Sequence, residues 1–515
     1  MHVPRRGGRP ASILEGCVTE ETLLGIDVGT TGTKALLFAA DGRVLASASK
    51  SYPLITPGVG LCEQNAEDWW DALVCTVREV CADPARARSV RGISLSTQGG
   101  TVVPTDADFR PLANAIVWSD ARCAADVPAF EAALGKDYVY RTCGWKLGRG
   151  LPAMELYRMR AEHPGLFEKA AYFLTVPGFV IARLTGRPAS DISNAGIDQL
   201  TDIRRGAYDP AILELVGVPE AKLAPLVPSC GPVGTLTAGA TETLGLPRDV
   251  VVASGAHDQY AVALGAGICE AGDAVIGTGT AWVVTALRDE PDFGSGFAQS
   301  LSATAGKWGS MLSISTGGVC LDWFRRQIAG SEAAPLDYRT LDALALERDV
   351  PGTDGLRFYP WFGGAGQPEP DNCSRGTFTG LDLSHDRGHL ARAVMEGVAC
   401  QTVWALRTME KRLPMRRLFL AGGASKSPLW TRMIAEIAGR PIRVSVTADL
   451  ACAGAAMMAG VGCGLFPDTV QAARAMEQPG RAEEPDAARA AAYRDVFEDY
   501  VSGARALHEY YGKRV

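Results

Sequence analysis

Short apolar runs interrupted by Gly/Thr turns dominate the start of the chain. Residues 23–26 and 35–40 read as two strands on either side of a turn over residues 27–32, and Asp41-Gly42 is a hairpin signal leading into residues 43–46. The first domain therefore opens on antiparallel strands and not on a βαβ unit. Beyond it the period alternates. Trp69, Leu73, Val74 and Val77 share a helical face, residues 93–95 and 115–118 read as strands, and roughly residues 152–184 read as helices. This alternation predicts an α/β layout.

The opening plan recurs near residue 273. Residues 273–276, the turn Gly277-Thr278-Gly279-Thr280 and the apolar run 281–287 repeat the order strand, Gly/Thr turn, strand. Two similar halves facing each other across a cleft are the expectation. A third Gly turn, Gly422-Gly423-Ala424 with Ser427 beyond it, follows the run 417–420 and precedes a helix over 428–438. Residues 484–511 are Ala-, Glu- and Arg-rich at helical spacing and predict a closing surface helix. Residues 450–467 are 18 residues without a charge, which invites a membrane reading. Their five Ala and four Gly, closed off by Asp449 and Asp468, predict a buried small-residue helix instead.

Composition narrows the classes. A chain of 515 residues predicts two or three domains, placed here at residues 21–265 and 266–515. Lys and Arg total 51 against 58 Asp and Glu, and a net charge of −7 argues against a nucleic-acid coat. Thirteen cysteines lie singly with no C-x-x-C pair, which suits a reducing, cytoplasmic setting. The pair His385 and His389 lacks the Glu of a zinc-protease motif and reads as two solvated histidines near a helix start. Residues 1–20 contain too short an apolar run for a signal peptide and are expected to form a disordered extension.

The chemistry is placed in the turns. In DVGTTGTK, residues 27–34, Gly29 and Gly32 expose backbone N–H groups, Thr30, Thr31 and Thr33 add hydroxyls, and Lys34 adds charge, a set suited to phosphate oxygens. The Walker spacing is absent, and Asp27 at a strand end suits a Mg²⁺ shell reached through water. A tight hairpin is the competing reading. Gly277, Thr278, Gly279 and Thr280 repeat the first turn, so two hairpins could grip one triphosphate. Gly422, Gly423 and Ala424 would let a purine plane approach, or form a plain strand-to-helix turn. Asp258, between an apolar strand and an Ala-rich helix, is either a helix N-cap or a base that takes a hydroxyl proton as a phosphoryl group leaves ATP. His257 is a rival base. Thr97, Gln98 and Gly99 follow one strand, and Trp118, Asp120 and Arg122 follow another, where open α/β sheets place ligands. They read as a sugar pocket, against a core Trp and a surface ion pair.

DVGTTGTK, NAIVWSDAR at 114–122, GAHDQ at 255–259, GTGT at 277–280, SHDRGHLARAVMEGVA at 384–399 and AGGASKSPLW at 421–430 together resemble the FGGY family of carbohydrate kinases over roughly residues 23–480. The resemblance implies an α/β fold of two ribonuclease-H-like (actin-like ATPase) domains facing each other across a cleft. Sugar would sit mostly on the first domain and ATP mostly on the second, with hinge closure between them. It makes Asp258 the general base and Asp27 the acidic residue near Mg²⁺. Thr31 and Thr33 fall in the first phosphate loop and Gly277 to Thr280 in the second. Gly317 and Gly318 fall in a nucleotide-contacting turn, and Gly422, Gly423 and Ser427 at the adenosine. Thr97 to Gly99, Trp118, Asp120 and Gln259 take the substrate positions. ATP, Mg²⁺ and a small sugar are the implied ligands, with no nucleic acid or membrane partner and a homodimer as a family-level expectation.

The departures bear on the acceptor. Xylulose kinases usually read Gln-Met-His-Gly where this chain has Ser96-Thr97-Gln98-Gly99, and His257-Asp258-Gln259 is similar to fuculose and rhamnulose kinases. Overall spacing still favours a ketose, D-xylulose first, with ribulose, fuculose, rhamnulose, glycerol and erythritol as alternatives. The readings from other classes are an actin- or Hsp70-like ATPase and a non-catalytic sugar sensor.

Overall fold

The computed structural model describes residues 21–513 apart from 315, 446, 448 and 479, so the expected N-terminal extension lies outside the described residues. The first sheet is built on β1 (Thr22–Val28), whose residues are nearly all buried, as a central strand with both faces covered requires. It pairs antiparallel with β2 (Gly32–Ala39), which pairs antiparallel with β3 (Val44–Ser51). On its other side β1 runs parallel to β4 (Val90–Thr97). Beyond β4 come β5 (Pro232–Thr235) and β6 (Val251–Ala253), in the order β5-β6-β4-β1-β2-β3. Asn65 caps α1 (Ala66–Val80), whose Trp69, Leu73 and Val77 cover this sheet.

The second sheet repeats the plan. β7 (Asp273–Thr278) pairs antiparallel with β8 (Trp282–Arg288), which carries β9 (Ala298–Leu301) and β10 (Trp308–Ser313). On its other side β7 runs parallel to β11 (Arg417–Gly422), followed by β12 (Ile442–Val444) and β13 (Arg481–Glu483). In both sheets the first strand is flanked by an antiparallel neighbour and a parallel one. That is the ribonuclease-H-like arrangement expected, and the molecule is a two-domain α/β protein of the actin-like ATPase kind.

The element α2 (Asp258–Gly265) follows the first sheet, and α3 (Arg387–Glu410), almost wholly buried, backs the second. The latter starts at Asp386 in a capping box with His389, and the His385 side chain has no exposed surface. The two histidines therefore sit at a helix start as expected but are packed against it rather than solvated. The run 152–184 is not purely helical, because the strand Tyr172–Thr175 interrupts it. Helices α4 (Pro428–Ala438), α5 (Leu450–Gly462) and α6 (Ala487–Gly512) complete the second half. The last of these buries Tyr493, Phe497, Tyr500 and Ala504.

Helix α5 is the small-residue segment, and residues 450–460 of it are buried inside the protein. It leaves the second sheet to lie on the first. A Cβ at Gly25 of β1 would stand 1.9 Å from the carbonyl oxygen of Cys452, so backbone meets backbone there. Conversely α2 leaves the first sheet and reaches the second, where the Tyr260 hydroxyl donates to the Gly309 carbonyl at 3.3 Å. The two helices cross through Gly265 and Gly454, each with room for no Cβ. Among the described residues no helix is long and apolar enough to cross a membrane.

Candidate active site

A cleft of about 430 Å³ opens where the strand ends of both sheets meet. Asp27 and Lys34 come from β1 and β2, Asp258 and Gln259 from the start of α2, and Gly277 to Gly279 from the end of β7. Gly422 ends β11, Gly423, Ser425 and Lys426 follow it, and Ser445, Thr447 and Asp449 lead into α5. The first turn is shorter than its sequence pattern: β1 reaches Val28 and β2 begins at Gly32, leaving only residues 29–31 outside strands. Strand neighbours point to opposite faces. Lys34 faces the cleft, so Thr33 is turned inward and fully buried, while Thr31 stays exposed.

Thr30 ties this turn to its neighbour. Its hydroxyl donates to Gln98 Oε1 at 3.0 Å and accepts from Trp118 Nε1 at 3.2 Å. Gln98 Nε2 donates to Gln64 Oε1 at 2.8 Å, and Gln64 Nε2 donates back to the Thr30 carbonyl at 2.5 Å. The ring of hydrogen bonds is closed, and the Trp118 face, 48% exposed, forms an open aromatic wall next to it. Thr97 is buried, its hydroxyl accepting from Asn194 Nδ2 at 3.2 Å. Gly99 leaves the space that His257 and Ile197 fill. Asp120 has no exposed side-chain surface. Its oxygens accept from the Cys62 amide at 2.6 Å and from Arg122, the latter also paired with Glu63 at 2.7 Å. The penalty of burial is outweighed by those donors, so the Asp120 carboxyl is held below its ordinary range. It braces the loop carrying Trp118 and offers no free oxygen to a ligand.

Asp258 is not the cap of α2. His257 takes that place, its Nδ1 accepting from the Gln259 amide at 3.3 Å. The Asp258 carboxylate, 37% exposed, is thus left for the cleft, with one oxygen 3.1 Å from His257 Nδ1. His257 itself is buried against Trp145 and Tyr260. Gln259 lines the cleft beside Asp258 and faces the second turn, with Oε1 3.4 Å from where a Cβ of Gly277 would be.

The second and third turns are joined by Thr278, whose hydroxyl donates to the Ala421 carbonyl at 2.6 Å and accepts from the Ala424 amide at 3.0 Å. Gly317 and Gly318 lie beneath the second turn, where their amides donate to Thr280 and Gly279, and do not line the cleft. Ser427 caps α4 through the Trp430 amide at 3.1 Å; the polar groups at the third turn are Ser425 and Lys426. A serine directly before Pro428 was the available sign of a cap. Asp449 has no such sign, since its partner Lys34 lies 415 residues away.

Burial, reinforced by the carboxylates of Asp449 and Asp258, pushes Asp27 up to about 7 against a hydrogen bond from Ser96 and the charge of Lys34. Asp27 offers a hard carboxylate oxygen of the kind Mg²⁺ prefers, with the charges of Asp449 and Asp258 close enough to raise it, so the residue fits an ion held mainly by phosphates and water. Among the described residues no three His, Cys, Asp or Glu side chains are grouped to hold a metal alone. Mg²⁺ in phosphoryl-transfer sites is held by one or two carboxylates, phosphates and water, and Asp27 is placed for that role.

Two family models match the chain. The N-terminal domain of the FGGY family of carbohydrate kinases matches residues 22–265 and its C-terminal domain residues 273–463. Xylulose kinase of Bacillus subtilis (strain 168) is 29% identical over 482 residues, covering 93% of this chain and 95% of that protein. Gluconokinase of Bacillus licheniformis is 27% identical over 500 residues, covering 95% and 96%. The crystal structure of xylulose kinase from Rhodospirillum rubrum superposes with a TM-score of 0.85 at 27% identity, covering 96% of this chain and all of that one. With both domain models matched across one cleft, the chain belongs to the FGGY family of carbohydrate kinases and is a sugar phosphotransferase that uses ATP.

Proposed function

We propose that the protein transfers the γ-phosphoryl group of ATP to a hydroxyl of a small ketose, with D-xylulose the first choice, and that Asp258 is the general base. The observation that carries this reading is the position of Asp258. His257 relieves it of capping, so a partly exposed carboxylate stands at a helix start in the cleft lined by Asp27 and Lys34 of the first strand pair and by the second Gly/Thr turn. The acceptor hydroxyl gives its proton to Asp258 as its oxygen attacks the γ-phosphorus, and the bond to the β-phosphate oxygen breaks. The turns at residues 30–31 and 279–280 would offer backbone amides to the phosphates, the Gly29 amide being taken by the Gly32 carbonyl, and Lys34 adds charge. Asp27 would hold Mg²⁺ through water, and the ion would supply charge neutralisation for the triphosphate. The Trp118 face covers the carbon skeleton of the sugar while Thr30 connects that wall to the phosphate turn. Residues 21–265 carry the acceptor and residues 266–515 the adenosine, with the Gly422–Gly423 turn and Ser425 at the base. The twelve described cysteines are all free, in keeping with a cytoplasmic site of action.

A second acceptor class has its own support. Lys146 and Arg149 are exposed on the stretch between Trp145 and Gly150, the latter packed against the Trp118 carbonyl, and this favours an acidic sugar such as gluconate. ADP release from Mg-ATP, measured across D-xylulose, L-xylulose, D- and L-ribulose, L-fuculose, L-rhamnulose, glycerol, erythritol and gluconate, decides between them. Turnover with a ketose alone supports the first reading, and turnover with gluconate alone replaces it.

A further inference from the structure

The pairing of β1 with β2 sets Asp27 directly opposite Lys34. Residues opposed in an antiparallel pair share a face, so strand geometry by itself would bring this lysine to that carboxylate. The structure does otherwise. Lys34 Nζ lies 2.7 Å from Oδ2 of Asp449, a residue that arrives from the second sheet.

Asp449 is held from two sides. Its Oδ1 caps α5 through the Cys452 amide at 3.1 Å, and Cys452 Sγ lies 3.7 Å from the Lys34 carbonyl oxygen. The helix so capped is seated on β1 at Gly25, where no side chain would fit. The carboxylate is only 14% exposed while the lysine is 52% exposed. The aspartate is therefore the fixed partner and the lysine the movable arm. An ammonium has three N–H donors and uses one here, so two remain for oxygens entering the cleft.

From this juxtaposition we infer that Asp449 is a positioning residue for phosphoryl transfer: it holds the Lys34 ammonium over the phosphate site and away from Asp27. The inference rests on the reading of this cleft as the nucleotide site. Without the negative charge at 449, Lys34 turns to its strand partner Asp27, which removes a cation from the phosphates and occupies the carboxylate that faces the metal. Asp449 lines the same cleft as Asp27 and Asp258, so its charge would only repel a triphosphate if it did not present that cation.

Asp449→Asn separates the charge from the cap, because Asn caps a helix as well as Asp does. The expected result is a fall in kcat of about 10- to 100-fold at saturating ATP, with KM for the acceptor and the melting temperature unchanged. A double-mutant cycle with Lys34→Gln identifies the route. If Asp449 acts through Lys34, Asp449→Asn/Lys34→Gln is no slower than Lys34→Gln alone. The same cycle, read in the Kd of a non-hydrolysable ATP analogue with Mg²⁺ and no sugar, separates this inference from the choice of acceptor. Coupling between the two residues in that Kd sustains the inference even where no tested sugar is turned over. Wild-type kinetics and analogue affinity in Asp449→Asn overturn it, as do losses that simply multiply in the double mutant.

Discussion

Glu155 has both carboxylate oxygens buried, with only the weak thiol donor of Cys123 beside them, beneath the loop that Asp120 and Arg122 brace. Burial first, and the nearby Asp120 charge second, push it up to about 8, with Arg122 opposing. The fold thus binds this proton more tightly than the unfolded chain does. The resulting stability is complete below the ordinary value near 4.5 and is lost as pH rises through about 8. Glu155→Gln keeps the shape and cannot ionise. Melting curves between pH 5 and 9 are expected to show the wild type losing about 1–3 kcal/mol relative to the variant towards the alkaline end. Parallel melting of the two proteins would show that Glu155 ionises in the fold at its ordinary pH. At this scale the sequence made Asp27, Lys34 and Asp258 legible, because turn chemistry is local. It misdirected Ser427, whose side chain caps α4, and it concealed Asp449, whose meaning lies in a contact with the other half of the chain.

Among the elements, the first turn and the aromatic wall are one unit. Trp118→Phe retains a ring for the sugar and removes only the indole donor to Thr30. Steady-state kinetics are expected to show KM for ATP raised about 3- to 10-fold, the worth of one hydrogen bond, although the proposed role of Trp118 is to cover the acceptor. An unchanged KM for ATP would separate the turn from the wall. The crossing of α5 over β1 is equally specific. A Cβ at Gly25 would meet the Cys452 carbonyl at 1.9 Å, so Gly25→Ala must lift the helix or bend the strand. Denaturant unfolding is expected to show a loss of about 3 kcal/mol or more, and a variant as stable as wild type would mean that the helix does not seat there. Helix and strand order was readable from periodicity. That α5 belongs on the first sheet was not, since a uniformly small, apolar helix shows no preferred face and its partner is chosen by Gly25 and Gly92, remote in sequence.

In the whole molecule, the exchanged helices α2 and α5 are the connection between two sheets of the same plan, and the cleft lies where both sheets end. The Gly/Thr turns were recognised as a repeat because each half closes its first strand pair in the same way. The contribution of both halves to one charged cleft required the fold. Within it, burial and the charges of Asp449 and Asp258 raise Asp27, Lys34 is held by Asp449, and the Asp258 carboxylate stands free of its helix cap. In the proposed reaction Asp258 takes the acceptor proton. The most direct test of this role is the initial rate of ADP release from Mg-ATP with and without the sugar that the acceptor panel selects, for wild type and Asp258→Asn at equal enzyme concentration. Sugar-dependent release is expected in the wild type, and a kcat lower by about 100- to 10,000-fold in the variant, with KM for ATP little changed. ADP release that is the same with and without sugar, or full activity in Asp258→Asn, would contradict that role.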